Sequence, residues 1–261
     1  MAFHWGGRGP GHMARKTSTV FNPLSLFAAS EQGVWYDPSD FSTMFQDSAG
    51  TTPVTAVGQP VGKINDKSGR GNHATQATGA SKPILRQDGS GLYYLEFDGF
   101  DDFLATAAID FSATDEMTAC IGVRKNRDSA TEVLLENTTA SGTFRFFQLA
   151  ASTDWTYGST GTVSADASDP AGASAPLTSV LTGASAISGD VSILRVNGAQ
   201  VRSVATDQGT GNYGNFAMYL GRRGGTAFPF SGNVYQLVVR GKTTADLAPL
   251  ETFVNSKTGA Y

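Results

Sequence analysis

Acidic side chains are concentrated in residues 96–102 of this 261-residue chain, and paired carboxylates are the groups there most able to do chemistry. The residues before them alternate in the rhythm of a strand, which places Glu96 and Asp98 on one face. A retaining glycosidase needs two carboxylates about 5–5.5 Å apart. Gly99 favours a turn before Asp101 can reach that face. We therefore interpret these acids as turn-forming residues, with polysaccharide cleavage as the alternative.

The same turn offers ligands for a cation. Asp98, Asp101 and Asp102 lie within five residues, and Ca²⁺ takes roughly six to eight oxygen ligands, carboxylates among them. Three acids supply only part of such a set, so a solvated acidic turn is the competing interpretation. A possible Ca²⁺ site is the one cofactor expectation that the sequence raises.

Other patterns lack the context that their chemistry requires. The G-x-G-x-x-G match at 209–214 precedes an apparent strand at 216–220, whereas a dinucleotide site needs a helix N-terminus there. His73 is expected to hydrogen-bond within its glycine-rich turn, because the three histidines show no metal-ligand spacing. The single cysteine, Cys120, lies in an apolar run and should be buried. We expect no catalytic residue, and so no enzyme.

The elements that position these residues are nearly all strands. Hydrophobic residues make up 40% of the chain, with 16 Phe, which is enough for a sizeable core. Many short strands separated by turns favour a two-sheet sandwich, and such sandwiches often reach this length as one unit. The predicted strands are 34–36, 92–97, 103–104, 117–123, 132–135, 143–149, 154–157, 177–182, 191–196, 216–220 and 234–239.

Turns and helices have clear local signals. Asn197-Gly198 predicts a tight hairpin, because both residues tolerate a positive φ. Asn22 followed by Pro23 predicts a short helix, which we expect Gly33 to end. Asp246 is expected to cap a C-terminal helix. Residues 158–176 are predicted to be a long loop, and Asp40 to cap a single turn.

Three segments carry a family resemblance. Residues 97–103, FDGFDDF, resemble the FDGxDDY/F signature of laminin-G-like domains in the concanavalin A-like lectin superfamily. Residues 66–75 are similar to the D-x-SGxGNHxT segment of those domains, and residues 230–239 to their late strand F-x-G-x-I-x-E-L-x-V. Residues 34–40 and 59–62 resemble the variant found in tailed-phage and prophage virion proteins.

This resemblance, over roughly 34–261, implies an all-β, two-sheet jelly-roll sandwich with a short N-terminal helix, a C-terminal helix and an extended N-terminal arm. It divides the chain into an arm and short helix at 1–33 and a sandwich at 34–261. It also implies a structural protein of a tailed-phage virion, in its tail, baseplate, fibre or capsid decoration. Glycan binding or host attachment would be its role, and a non-binding cement protein is an alternative. Related glycoside hydrolases read E-x-D-x-x-E, and here Asp101 replaces the second Glu.

The first twenty residues are rich in glycine and cannot bury enough apolar area to fold alone. We expect them to dock on other virion proteins through Phe3, Trp5, Arg8 and Arg15, because such termini need another surface to hold them. The alternative is a vector-derived remnant, since Gly11-His12-Met13 resembles a cloning scar.

Sugar sites combine an aromatic face with a few converging polar groups. Predicted loops or their flanks hold five residues of these types, and a role in the core or in a subunit interface is the alternative for each. The candidates for a host-surface glycan are Trp155, Tyr157, Asn212, Tyr213 and Arg222.

The net charge and the hydropathy of the chain argue against some classes of partner. The net charge of −4 argues against attraction to nucleic acid. No stretch approaches the ~20 apolar residues of a membrane span, and the N-terminus lacks the apolar region of a signal peptide. We expect a virion location and, by analogy with fibres and spikes, a homo-oligomer.

Overall fold

In the computed structural model, which describes Met1 and residues 21–138 and 142–261, the chain forms two antiparallel sheets. The predicted all-β sandwich is confirmed. The predicted docking residues Phe3, Trp5, Arg8 and Arg15 lie outside the described residues, so the arm and the domain division at residue 33 stay predictions. Within the described part of the chain, no helix has both the length and the apolar character to span a bilayer.

The described residues contain seventeen strands. In chain order they are β1 (Gly33–Tyr36), β2 (Met44–Phe45), β3 (Lys63–Ile64), β4 (Ala74–Thr75), β5 (Ile84–Gln87), β6 (Tyr93–Asp98), β7 (Leu104–Phe111), β8 (Glu116–Lys125), β9 (Glu132–Asn137), β10 (Phe144–Gln148), β11 (Thr156–Thr160), β12 (Ser164–Ser168), β13 (Leu177–Ala186), β14 (Val191–Val196), β15 (Ala199–Val204), β16 (Gly214–Leu220) and β17 (Ser231–Arg240).

We call the two sheets A and B. Sheet A has the strand order β15-β14-β13-β8-β17-β6-β5, with β1 also paired to β17. Sheet B has the order β12-β11-β10-β9-β16-β7-β4-β3-β2. Alternate residues of both sheets form one large apolar core, so Leu95 and Phe97 of β6 are buried while Tyr94 and Glu96 point to the outer face of sheet A.

The two tight turns predicted from sequence are confirmed. Asn197 and Gly198, with φ values of 51° and 78°, join β14 to β15. Gly99, with φ of 80°, ends β6. The Asp98 carboxylate then accepts hydrogen bonds from the backbone N–H groups of Phe100 at 2.8 Å and Asp101 at 3.3 Å.

Asp66 organises the glycine-rich turn at 66–75. Its carboxylate accepts hydrogen bonds from the backbone N–H groups of Trp35 at 2.9 Å, Ser68 at 2.8 Å and Asn72 at 3.1 Å. Its own N–H donates to Nδ1 of His73 at 3.0 Å. The expected hydrogen bond of His73 within this turn is therefore confirmed.

A second apolar cluster covers part of the outer face of sheet A. Helix α1 (Ala248–Thr258) lies on β8, β13 and β17, and packs Leu250 and Val254 against Cys120. Burial raises the pKa of the Cys120 thiol to about 12, so it is an inert core residue, as predicted.

Gly122 allows the last turn of α1 to reach the sheet. A Cβ atom at this position would lie 1.8 Å from Oγ1 of Thr258, which is too close for any side chain. The end of α1 therefore forms a raised wall on the outer face of sheet A. Beside this wall, the outward side chains of Tyr94, Glu96 and Arg124 are partly exposed.

Several predicted boundaries are wrong. The predicted loop at 158–176 contains β12, whose alternation of buried alanine with exposed polar residues gives almost no hydrophobic signal. The short helix after Asn22 is a 3₁₀ helix that ends at Phe27, and Gly33 instead begins β1. Asp40 precedes its turn without a side-chain cap. Helix α1 has Leu247 at the N-cap, although Asp246 accepts a 3.2 Å hydrogen bond from Ala248 N–H.

Candidate functional site

The structure places the three predicted sugar-stacking aromatics in the core. Trp155 is 1% exposed, and Tyr157 and Tyr213 are fully buried, so none of their faces is available to a sugar ring. The prediction of a sugar-binding role is wrong for these three residues, and the alternative of a core role is correct. The prediction failed because a position in or beside a predicted loop does not determine whether a side chain points to solvent or into the core.

The two buried tyrosines belong to a chain of hydroxyl groups. Tyr157 and Ser185 hydroxyls lie 2.8 Å apart, the Ser185 and Tyr213 hydroxyls 2.6 Å, and the Tyr213 and Ser159 hydroxyls 2.8 Å. This chain satisfies polar groups that would otherwise be buried without partners. Its role is structural.

The other two predicted glycan residues remain accessible but are held in separate turns. The Asn212 side chain accepts a 3.1 Å hydrogen bond from Gly214 N–H. Arg222 donates to the carbonyl of Thr226 at 3.0 Å. Because the three predicted aromatics are buried, they cannot supply the stacking faces that the prediction placed beside Asn212 and Arg222.

The acidic turn brings its three carboxylates together. One oxygen each of Asp98, Asp101 and Asp102 lies within 4.8 Å of the others. Asp102 accepts a 3.0 Å hydrogen bond from Asp98 N–H, and Asp101 accepts one of 2.7 Å from the Ser81 hydroxyl. Burial raises the pKa of Asp102 to about 6, assisted by the neighbouring negative charges. The three oxygens fit part of a calcium shell, and the Ca²⁺ site stays a prediction.

Glu96, the other member of the candidate catalytic pair, is engaged elsewhere. It forms a 2.7 Å ion pair with Arg86 on the neighbouring strand β5, and both side chains are partly exposed. Asp98 and Asp102 hold the backbone of the turn. The geometry therefore assigns these acids to structural contacts.

An open groove of about 400 Å³ lies beside the end of α1 on the outer face of sheet A. Sheet register builds its floor, because Thr178 of β13 pairs with Arg124 of β8, which pairs with Asn233 of β17. Asn233 in turn pairs with Glu96 of β6. One row of outward side chains thus crosses four strands. The residues that line the groove are Asp88, Ser90, Leu92, Tyr94, Arg124, Thr178, Asn233, Tyr235, Thr258 and Gly259.

Two tyrosines form the aromatic part of the groove. Tyr94 and Tyr235 have ring centroids 5.2 Å apart and planes tilted by 48°. The pairing of β17 with β8 shifts register between Val234 and Gln236, so Tyr235 is the extra residue of a β-bulge. Bulges redirect side chains and recur next to functional sites. Tyr94 is half-buried and leaves part of its ring accessible.

Polar groups converge on these rings. Asp88, in the β5–β6 turn, accepts hydrogen bonds from the N–H groups of Ser90 at 2.9 Å and Leu92 at 3.0 Å. Its second oxygen lies 3.5 Å from the Tyr235 hydroxyl, which donates to it. Burial raises the pKa of both Tyr94 and Tyr235, and the charge of Glu96 adds to the shift of Tyr94. Both phenols therefore stay protonated near neutral pH. The Tyr235 hydroxyl donates to Asp88, so the Tyr94 hydroxyl is the phenol that can donate to a ligand oxygen.

The groove has the composition of a sugar site: one accessible aromatic face, that of Tyr94, lies with a carboxylate and a guanidinium above the buried Tyr235 (3% exposed) and Asn233 (7% exposed). The sequence analysis did not select these residues. The available signal was Tyr94 and Glu96 alternating with core residues in β6. Nothing in the sequence marks the bulge at Tyr235 or the contact that makes α1 a wall of the groove.

The fold is similar to that of several binding domains of known structure. The binding domain of Paraclostridial Mosquitocidal Protein 1 superposes with a TM-score of 0.59 and 14% identity, over 74% of this chain and 49% of that one. The ligand-binding domain of botulinum neurotoxin serotype D, in complex with N-acetylneuraminic acid, gives 0.56 and 8%, over 74% and 48%. That of botulinum neurotoxin DC, in complex with rat synaptotagmin II, gives 0.53 and 9%, over 74% and 49%.

The fold is a lectin-like jelly roll. At these identities the similarity concerns architecture alone, and this jelly roll spans about half the length of the chains it matches. No protein family and no curated protein matches the sequence. The expected sandwich with its C-terminal helix is confirmed.

Proposed function

We propose that this protein is a non-enzymatic, lectin-like module that binds a glycan in the sheet A groove. The observation that carries the proposal is the groove itself, where Tyr94 and Tyr235 lie beside Arg124, Asn233 and Asp88 on a rigid sheet. A site on paired strands is pre-organised, so little ordering cost opposes binding. Structural relatives whose names describe binding domains add support at the level of the fold.

Replacing Tyr94 by alanine should weaken glycan binding about five- to thirtyfold, a loss of about 1–2 kcal/mol, because the variant removes the accessible stacking face. A glycan array would identify a ligand, and calorimetric titration would then compare the variant with wild type. Phe100→Ala is the matched control, since Phe100 is 74% exposed and lies outside the groove. Equal losses in both variants, or none in Tyr94→Ala, would contradict the assignment.

We also propose that the jelly roll belongs to a tailed-phage particle, where residues 2–20 join neighbouring virion proteins. The support is the phage-like motifs at 34–40 and 59–62 and the composition of residues 1–20. In that location, a glycan site would serve attachment to the host surface or decoration of the particle. A homo-oligomer would multiply weak contacts with a repetitive surface glycan.

Deleting residues 2–20 should reduce incorporation into particles at least tenfold while the jelly roll stays folded, because the deletion removes only the proposed docking segment. Quantitative mass spectrometry of purified particles measures incorporation, and circular dichroism of the isolated variant checks the fold. Phe100→Ala again serves as the control. Normal incorporation of the shortened chain would refute the docking role.

The non-enzymatic part of the proposal rests on the acidic turn. Asp98 and Asp102 are engaged in turn hydrogen bonds, and Glu96 is ion-paired with Arg86. A reducing-sugar assay on capsule or lipopolysaccharide tests this part. Activity that disappears in Glu96→Gln and Asp98→Asn would favour the hydrolase alternative instead.

A further inference from the structure

We infer that the glycan bound in the groove carries a carboxylate, as uronic and sialic acids do, and that Arg124 binds this group. The inference rests on the proposed function and adds the class of sugar. It depends on how the charged side chains in and beside the groove are already paired.

Of the sheet A arginines in the described residues, Arg124 and Arg202 have no side-chain partner, and only Arg124 lines the groove. Arg86 pairs with Glu96 at 2.7 Å, and Arg195 pairs with Glu251 at 2.7 Å. Within the ranges that the structure describes, the guanidinium of Arg124 has no hydrogen-bond or ion-pair partner, although the residue is half-buried in the groove floor. Guanidinium groups carry five donors in a planar fork. Arg124 therefore offers an unused binding group within the groove.

The acids near Arg124 are committed to other contacts. One oxygen of Asp88 accepts two backbone hydrogen bonds, and the other faces the Tyr235 hydroxyl. Glu96 is held by Arg86. A ligand carboxylate would supply the missing partner, and the fork of an arginine matches a carboxylate with two parallel hydrogen bonds.

The neutral groups around Arg124 suit the rest of a sugar. Thr178 and the buried Asn233 flank it on the neighbouring strands, and the half-buried Thr178 can bond a ring hydroxyl. The opposite wall is the end of α1, where backbone carbonyls accept hydrogen bonds and the helix dipole disfavours negative charge. An acidic sugar therefore fits with its carboxylate on Arg124 and its hydroxyls toward Thr258 and Gly259.

Carboxyl reduction tests this inference on matched ligands. Oligosaccharides of polygalacturonate, alginate, hyaluronate and polysialate would be titrated beside the same oligosaccharides with every carboxylate reduced to an alcohol. A neutral glycan array and dextran sulfate complete the set. We expect wild type to bind at least one acidic form ten times or more tighter than its reduced form, with affinity falling as salt rises.

Variants of Arg124 then test whether this residue causes the preference for the acidic oligosaccharide. Arg124→Gln should abolish the preference for the acidic form while keeping the weak binding of the reduced form. Arg124→Lys should retain part of the preference. Arg202→Gln, an arginine on the edge strand β15 and outside the groove, should behave as wild type. Thermal unfolding confirms that each variant is folded.

Each of the other possible binding results contradicts a specific part of the inference. Equal binding of acidic and reduced forms, or binding of neutral glycans alone, refutes the carboxylate and leaves the proposed function standing. Dextran sulfate bound as tightly as the carboxylates refutes a specific carboxylate site. A preference that persists in Arg124→Gln refutes the role of Arg124. No binding of any acidic or neutral glycan refutes the proposed function and this inference together.

Discussion

Replacing Trp155 by alanine is expected to lower the free energy of unfolding by about 3–5 kcal/mol. The indole is 1% exposed and packs against the ring of Phe230, with a centroid distance of 6.3 Å. The ammonium group of the buried Lys125 lies 6.0 Å from the indole centroid. Truncation leaves a large cavity between the sheets and removes this contact. Urea unfolding followed by circular dichroism measures the loss.

Two control variants separate packing from surface effects. Trp155→Phe keeps most of the volume and should cost clearly less than the alanine variant. Leu149→Ala should be nearly neutral, because Leu149 is 57% exposed. The folded fraction of Trp155→Ala should bind glycan as wild type does. A variant of normal stability that has lost glycan binding would restore Trp155 as a sugar-stacking residue.

Removing Arg127 should destabilise the protein by about 3–5 kcal/mol near pH 8, because it leaves a buried carboxylate without its counter-charge. Arg127 pairs with Glu132 at 2.5 Å, and the side chain of Glu132 is fully buried. The same guanidinium donates to the carbonyls of Gly99 and Pro229, both at 3.1 Å. Arg127→Met keeps the aliphatic volume and deletes all of these bonds.

The stability lost in Arg127→Met should depend on pH, because Glu132 is titratable. Burial raises the pKa of Glu132 to about 7, against the lowering effect of Arg127. Between about pH 4.5 and pH 7 the folded state therefore holds a proton that the unfolded state has released, and stability falls as pH rises through this window. Without Arg127 the pKa rises further, so the variant should lose more stability than wild type on going from pH 5 to pH 8.

Urea unfolding of wild type, Arg127→Met, Glu132→Gln and the double variant at pH 5 and pH 8 measures this coupling. The double variant should recover much of the loss at pH 8, because it buries no charge. Glu132→Gln alone should remove the contribution of this group to the pH dependence. A cost for Arg127→Met that is identical at both pH values would show that the lost hydrogen bonds to Gly99 and Pro229, and not the charge, determine it.

Local turn chemistry accounts for the successes of the sequence analysis. Asn197-Gly198 and Gly99 each require a backbone conformation that few residues adopt, so their positions predict a hairpin and a strand end without any tertiary information. The sequence analysis missed strand β12 because its residues carry no strong local signal. Its buried residues, Ala165 and Ala167, are too small to give a hydrophobic alternation.

The sequence alone predicted the two-sheet sandwich, because strand periodicity and turn residues are local patterns that a few neighbouring positions reveal. It did not determine which aromatic residues reach the surface. Tyr157 and Tyr94 both alternate in strands, and only the packing of sheet B on sheet A buries Tyr157 and leaves Tyr94 facing outward. The groove likewise required tertiary structure, since its floor depends on strand register and its wall on the close approach of Thr258 to Gly122. Such contacts join residues that are far apart in the chain, so no local sequence pattern predicts them.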